Sequence, residues 1–304
     1  MTMPDLSGLM PATRRIVRAN GLDFEVFEAG EGDRLALLMH GFPEHAVSWR
    51  HQIPVLAQAG YRVWAVNQRG YGASATPPSG SYGIEALTGD VAGLIDASGA
   101  SSVTLIAHDW GALVAWTFAI RRVRPLEKLV ILNVPHPLCL RAALRTSWRQ
   151  RAKSWYAMFF QVPAVPELLL SRAGGRPASA LIRDSAVHRG NFSREVLAVY
   201  AANAARPGGM RAMIDWYREA GRDLARAKDL DQAIETPTLV IWGEQDVALH
   251  LVCLEGTDRY VRDLRIERLP DASHWVQQDA PDAVNRLLTG FLGSHVAPEK
   301  ETPP

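Results

Sequence analysis

An aspartate stands where a predicted strand gives way to a predicted helix. Residues 103–107 form the apolar run VTLIA, and HDWG follows directly. A strand, a sharp turn between small residues and a helix present one side chain above the edge of a sheet, as in the nucleophile elbow G-x-S-x-G. Ala107 and Gly111 are the small residues here. We therefore predict that Asp109 is a catalytic nucleophile.

A carboxylate nucleophile favours a different reaction from a serine. A serine alkoxide attacks carbonyl carbons, whereas the Asp109 carboxylate can displace a leaving group from saturated carbon and form a covalent ester that water must cleave. A serine-type esterase is therefore disfavoured. The alternative interpretation is structural, with Asp109 only capping the helix that begins near Gly111.

A base and an acid follow in the chain order that such sites use, which is nucleophile, acid and histidine. Asp246 ends the segment WGEQD after a predicted strand, and His274 lies in DASHW after the last predicted strand. A neutral imidazole can take a proton from water, and a carboxylate on its other nitrogen fixes the tautomer. We predict that His274 is the base and Asp246 its partner. Glu244 and Asp271 are weaker candidates for the acid.

The loop HGFPE at 40–44 follows another apolar run. In this arrangement, the loop after an early strand contributes a backbone N–H group to an oxyanion hole. We predict that the N–H groups of Phe42 and Trp110 stabilise the oxyanion formed when water attacks the ester. Taken alone, HGFP could also be only a tight turn.

Apolar runs that alternate with helix-length segments position these residues. Seven runs predict strands at 24–27, 35–39, 61–66, 102–107, 128–132, 238–242 and 264–269. Four stretches predict helices at 46–59, 84–98, 112–122 and 281–292. Strands that are apolar on both faces and separated by helices indicate βαβ units and a mostly parallel sheet.

The alternation breaks once, in a segment rich in arginine, alanine and tryptophan. Glycine and proline residues interrupt the helix-forming residues of this segment, and no strand is predicted there. We interpret 134–235 as a helical cap domain inserted into a core of 1–133 and 236–296, and 297–304 as a disordered tail. Arg141, Arg145 and Arg149 recur in the cap at helical spacing, which indicates either a solvated helix face or an anion-binding stripe.

Composition limits the class of protein. The 304 residues are 47% hydrophobic and 21% charged, and the net charge of +1 gives no bulk attraction for nucleic acid or anionic membranes. Cys139 and Cys253 cannot form a disulfide framework, and no apolar leader or membrane-spanning run is visible. No HExxH or clustered Cys/His spacing indicates a metal. We expect a cytoplasmic, bacterial protein.

The motifs together resemble the α/β-hydrolase fold family and, within it, the epoxide hydrolases. The resemblance covers nearly all of 21–292 and rests on HGFPE at 40–44, QRGYGAS at 68–74, HDWG at 108–111, GEQD at 243–246 and SHWVQQDAP at 273–281. It implies an α/β fold with a mostly parallel eight-stranded sheet, flanking helices, a helical lid after the sixth strand and no cofactor. Asn133, after that strand, cannot act as a catalytic carboxylate, which favours Asp246.

Epoxide hydrolases carry two lid tyrosines that bind the epoxide oxygen, and two segments resemble their motifs. WYAMFFQVP at 155–163 assigns this role to Tyr156, and MIDWYR at 213–218 assigns it to Tyr217. Epoxide opening leaves an alkoxide, which phenolic O–H donors stabilise or protonate. For each tyrosine, packing of an amphipathic side chain on the core is the alternative.

The sequence thus predicts an epoxide hydrolase that converts an apolar epoxide and water to a vicinal diol through an ester on Asp109. The predicted substrate pocket has seven wall residues: His40, Phe42, Pro43, Trp110, Trp155, Phe159 and Trp275. A haloalkane dehalogenase shares HDWG and is the alternative among enzymes, although many of these carry Asn or Glu where Phe42 stands. A non-catalytic ligand-binding protein is the alternative in another class. A homodimer is left open, and neither a nucleic-acid partner nor a membrane span is expected.

Overall fold

Eight strands form a single, mostly parallel sheet. The structure, a computed structural model, describes residues 4–78 and 81–293, so the predicted tail at 297–304 lies outside the described residues. The strand order is β1-β2-β4-β3-β5-β6-β7-β8. The strands are β1 Thr13–Ala19, β2 Leu22–Ala29, β3 Arg34–Met39, β4 Arg62–Val66, β5 Ser102–His108, β6 Lys128–Leu132, β7 Thr238–Gly243 and β8 Leu264–Leu269. Only the β1–β2 and β2–β4 pairs are antiparallel, which confirms the predicted fold class.

The sequence runs located seven of these strands and missed β1. Only Val17 and Ala19 of β1 are buried, so this strand carries no apolar run. It is defined instead by its antiparallel register with β2, from Thr13 opposite Glu28 to Ala19 opposite Leu22. With β1, the sheet reaches the eight strands that the resemblance implied.

The central strands are buried on both faces, as parallel strands covered by helices must be. In β3, Leu35, Leu37 and Met39 pack into the core on one face, and Ala36 and Leu38 pack into the core on the other. Because β3 and β5 to β8 run parallel, their carboxyl ends meet at one edge of the sheet. The loops that carry the predicted site residues therefore converge there.

Helices on both faces follow the predicted segments, with two changes and one short helix that was not predicted. The outer helices are α1 Gln52–Gln58, α2 Ile84–Ser98, α3 Asp109–Ile120, α11 Val276–Asp279 and α12 Pro281–Leu292. The predicted helix at 46–59 is instead a 3-10 turn, Ala46–Trp49, followed by α1, because Pro54 lacks an N–H donor and belongs to the first turn of a helix. The predicted helix at 112–122 begins three residues earlier, at the aspartate of the elbow.

Seven helices lie between β6 and β7, and we call them the inserted helices. They are α4 Pro137–Thr146, α5 Trp148–Lys153, α6 Trp155–Phe159, α7 Val165–Ser185, α8 Arg194–Ala205, α9 Gly209–Arg218 and α10 Ala220–Arg226. Helix α7 is interrupted where Gly174 and Gly175 take φ of 70° and 78°. The predicted division into a cap at 134–235 and a core stays a prediction. Among the helices in the described ranges, none is long and apolar enough to cross a bilayer.

Candidate active site

The turn between β5 and α3 places Asp109 at the carboxyl edge of the sheet. Its φ of 48° lies in the left-handed region, which costs a non-glycine residue about 1–2 kcal/mol. A Cβ on Gly111 would lie 2.6 Å from the carbonyl oxygens of Met39 and His40, and a Cβ on Gly41 would lie 2.2 Å from the Cβ of Asp109. Both positions therefore require glycine, because the loop after β3 and the turn between β5 and α3 pass against each other.

Both oxygens of the Asp109 carboxylate face other parts of the site. Oδ1 accepts a hydrogen bond of 2.6 Å from the backbone N–H of Phe42, and Oδ2 lies 3.3 Å from Nε2 of His274. The N-cap of α3 is His108, whose side chain makes no capping hydrogen bond. This arrangement gives no support to a helix-capping role for Asp109. The predicted contribution of the Trp110 N–H group stays a prediction.

The loops after β7 and β8 bring the predicted acid and base together. Nδ1 of His274 lies 2.6 Å from Oδ2 of Asp246, which is fully buried. The other oxygen of Asp246 accepts the N–H groups of Ala248 and Leu249, at 2.7 and 2.8 Å. The carboxylate is thus fixed by its own loop, and the imidazole bridges it to Asp109.

The two carboxylates change the protonation of His274. Burial alone would lower the pKa of His274, but the charge of Asp246 and the hydrogen bond of Asp109 outweigh it and raise the pKa from 6.5 to about 10. Burial would likewise raise the pKa of Asp109, but the hydrogen bond and charge of His274 lower it below 3.8. Both shifts favour an ionised nucleophile beside a protonated imidazole before any substrate reacts.

The weaker candidates for the acid lie elsewhere. Glu244 pairs with Arg268 at 2.8 Å, and Asp271 is exposed. Asn133, which follows β6, donates a hydrogen bond of 2.8 Å from its side-chain amide to Oδ2 of Asp246. Asp246 is thus the carboxylate in contact with the imidazole Nδ1.

A cavity of about 470 Å³ lies between Asp109 and the inserted helices. Tyr156 from α6 and Tyr217 from α9 line it together, with ring centroids 6.1 Å apart and ring planes at 85°. Burial, followed by the charge of Asp109, raises the pKa of both phenols above 10.0, so both stay protonated donors. The rest of the wall is largely apolar and includes Trp110, Leu113, Val134, Leu140, Leu144, Leu224 and Leu249.

The predicted pocket wall needs correction. Of its seven residues, Trp110 lines the cavity, and the others lie outside the wall that the described residues form: His40, Phe42, Pro43, Trp155, Phe159 and Trp275. The Trp155 side chain points outward and is 65% exposed. Phe42 packs edge-on against Tyr217 at 5.2 Å and supports it. Aromatic type alone does not determine which way a side chain points.

His40 and Trp275 are buried beside the site. The His40 ring is fully buried and packs edge-on against Tyr71, with centroids 4.7 Å apart. Trp275 packs edge-on against His274 at 5.0 Å, and its indole N–H donates to Ser185 at 2.8 Å. Both are therefore structural neighbours of the site rather than parts of the cavity wall.

A buried pair beneath the site was not predicted as functional. Glu44, the last residue of HGFPE, accepts the N–H of Gly41 at 2.8 Å and lies 2.8 Å from Nδ1 of His108. Nε2 of His108 lies 2.8 Å from the carbonyl oxygen of His274. The pair thus links the β3 loop, the elbow and the loop of the base. Glu44 ends the motif HGFPE and His108 begins the motif HDWG. Their places in these motifs were the available signal for a role at the site.

Known proteins resemble this chain in sequence and in fold. A family model described as alpha/beta hydrolase fold matches residues 37–281. Epoxide hydrolase 4 of Mus musculus is 35% identical over 283 residues, which cover 91% of this chain and 78% of that protein. Epoxide hydrolase A of Mycobacterium tuberculosis is 34% identical, covering 92% and 97%. A mutant epoxide hydrolase from Bacillus megaterium, solved in complex with its product, has a TM-score of 0.84 at 32% identity and covers 91% and 99%.

The chain belongs to the α/β-hydrolase fold family and, within it, to the epoxide hydrolases.

Proposed function

We propose that this protein hydrolyses epoxides to vicinal diols through a hydroxyalkyl ester on Asp109. The observation that carries the proposal is the lining of one largely apolar cavity by Asp109, Tyr156 and Tyr217. An epoxide requires attack on a ring carbon while its oxygen receives a hydrogen bond or proton. A carboxylate that shares a cavity with two phenols meets both needs.

In the first half-reaction, an oxygen of Asp109 forms a bond to one ring carbon. The carbon–oxygen bond of the epoxide breaks, and its electron pair goes to the epoxide oxygen. Tyr156 and Tyr217 donate hydrogen bonds to that oxygen as it becomes an alkoxide and then a hydroxyl group. The epoxide oxygen gains the proton that His274 holds in the resting site, so this half-reaction needs no other proton source.

Ester formation prepares the base for the second half-reaction. It removes the charge of Asp109, one of the two carboxylates that raise the pKa of His274. His274, now neutral and oriented by Asp246, takes a proton from water, and the hydroxide attacks the ester carbonyl carbon. The amides of Phe42 and Trp110 stabilise the oxyanion. The carbonyl–oxygen bond then breaks, and the diol oxygen leaves with the proton of the carboxylic acid.

Single turnover in oxygen-18 water, with enzyme in excess over epoxide, tests this route. We expect unlabelled diol in the first turnover and label in the peptide that contains Asp109. Direct attack of water on the epoxide would instead label the diol. His274→Gln should accumulate the ester, seen by intact mass after substrate is added; loss of activity without an adduct would contradict the assignment.

Halide release from haloalkanes is followed in parallel. Diol formation without halide is the expected result. Halide without diol would favour a haloalkane dehalogenase, and tight binding of apolar ligands without turnover would favour a non-catalytic ligand-binding protein.

A further inference from the structure

Large apolar side chains are exposed on one part of the inserted helices. In the described ranges, seven of the eleven exposed large hydrophobic residues lie within 148–169, and we call these seven the exposed apolar face. They are Trp148, Trp155, Met158, Val162, Val165, Leu168 and Leu169. The side chains of Trp148, Met158 and Leu168 are 68%, 73% and 70% exposed. Large exposed apolar patches on a folded protein mark interaction sites for proteins or membranes.

Hydrogen bonds hold this segment against the rest of the protein. Arg218 of α9 donates to the carbonyl oxygens of Phe160 and Val162, each at 2.9 Å, and pairs with Glu167 at 2.6 Å. These contacts fix the connection between α6 and α7. The exposed apolar face is thus presented by an anchored segment rather than by a free loop.

The chain between Glu127 and Asp184, which contains the exposed apolar face, carries many positive charges and almost no negative charge. Between Glu127 and Asp184, Glu167 is the only acidic residue, and it is neutralised by Arg218. Five arginines on α4, α5 and α7 are exposed: Arg145, Arg149, Arg151, Arg172 and Arg176. Arg141 turns inward and donates to the carbonyl oxygen of Leu224 at 2.7 Å. The net charge of +1 therefore conceals one strongly basic stretch of the chain.

We propose that the exposed apolar face binds the surface of an anionic lipid bilayer. Tryptophan and aliphatic side chains enter the boundary between headgroups and acyl chains, and arginines beside them pair with anionic headgroups. A second copy of this chain is a poorer occupant, because a two-fold interface would bring the same arginines against each other. Charge complementarity therefore selects the lipid surface.

This surface also shares one residue with the cavity wall. Met158 lines the cavity and is at the same time 73% exposed. An apolar epoxide dissolved in a bilayer would thus reach Asp109 without passing through bulk water. This consequence rests on the proposed function, whereas binding to the bilayer does not.

Co-sedimentation with vesicles tests the binding. The full chain is mixed with vesicles of phosphatidylcholine alone, or of phosphatidylcholine with phosphatidylglycerol. Wild type should bind only the anionic vesicles and should be released by salt, because screening weakens exposed charges. Trp148→Ser with Leu168→Ser should weaken binding about tenfold. Arg145→Glu with Arg149→Glu should weaken it at least about 25-fold, at about fivefold for each arginine lost.

Matched variants outside the exposed apolar face control for the loss of an exposed apolar side chain and for the reversal of a charge. Ile16→Ser on β1 replaces a side chain that is 52% exposed, and Arg286→Glu reverses an exposed arginine on α12. Both should bind vesicles like wild type. All variants should retain turnover of a water-soluble epoxide. This assay distinguishes a failure of the proposed reaction from a failure of vesicle binding.

Three results would overturn the proposal. The first is absence of wild-type binding to anionic vesicles. The second is equal loss of binding in the face variants and the controls. The third is a concentration-dependent dimer in light scattering that Trp148→Ser with Leu168→Ser abolishes, which would show that a second copy covers this face.

Discussion

The side chain of Asn133 donates a hydrogen bond of 2.8 Å to Oδ2 of Asp246, the oxygen that also faces Nδ1 of His274. Asn133 follows β6 with φ of 47°, and its own Oδ1 accepts the N–H of Gly243 at 2.8 Å. Strand β6 thus contributes no acid of its own but orients the acid that follows β7.

Replacing this amide should impair the base more than the nucleophile. Asn133→Ala leaves Asp246 without one donor and the buried N–H of Gly243 without an acceptor, so we expect a loss of about 1–3 kcal/mol in unfolding free energy. Ester hydrolysis should slow more than ester formation, because Asp246 acts through His274. Denaturant unfolding and pre-steady-state kinetics measure the two effects. Equal slowing of both half-reactions would contradict this role.

The stability of the protein should fall as the pH becomes alkaline. The folded-state pKa of His274 is raised from 6.5 to about 10, so the stability it contributes is complete below pH 6.5 and is lost as pH rises through about 10. Unfolding free energies measured across this window should decline, and those of His274→Gln should decline less. Parallel curves for the two proteins would show that the histidine is not the group responsible.

The two cavity tyrosines should act in ester formation alone. Tyr156→Phe with Tyr217→Phe should lower kcat/KM for epoxides by about 10²–10⁴-fold, because no phenolic hydrogen-bond donor then faces the leaving oxygen. Hydrolysis of ester already formed should change little. Tyr260→Phe is the control, since Tyr260 stacks on His136 at 4.5 Å and is not part of the described cavity wall. An equal effect of the control would count against the assignment.

Glycine at the elbow should be required for steric reasons. The Cβ in Gly111→Ala would lie 2.6 Å from two carbonyl oxygens, so we expect loss of both stability and activity. Gly290→Ala in α12 meets no atom within 4 Å and should instead stabilise the fold by about 0.5–1 kcal/mol. Thermal unfolding and epoxide turnover compare the pair. Similar behaviour of the two variants would contradict a crowded elbow.

The sequence predicted the elements whose residues carry their own signal. Apolar runs mark β3 to β7 because these strands are buried on both faces, whereas β1 exposes most of its side chains and leaves no run. The elbow was also predictable, because a sharp turn needs small residues at fixed positions around Asp109. Asp246 and His274 could be chosen because each follows a predicted strand in the chain order nucleophile, acid and histidine. The structure brings the two side chains into contact.

The pocket wall and the supporting contacts depended on the tertiary structure. Trp155 and Tyr156 are neighbours of similar chemical type, but one faces solvent and the other lines the cavity. The Glu44–His108 link and the Asn133–Asp246 hydrogen bond join residues 64 and 113 positions apart.

The sequence by itself thus determined the fold class and the order of the reacting groups, because strand periodicity and turn sterics are local. The tertiary structure alone decided which side chains share the cavity and which stand on the exposed apolar face. Those outcomes depend on the direction in which each inserted helix presents its side chains, and packing between distant segments sets that direction.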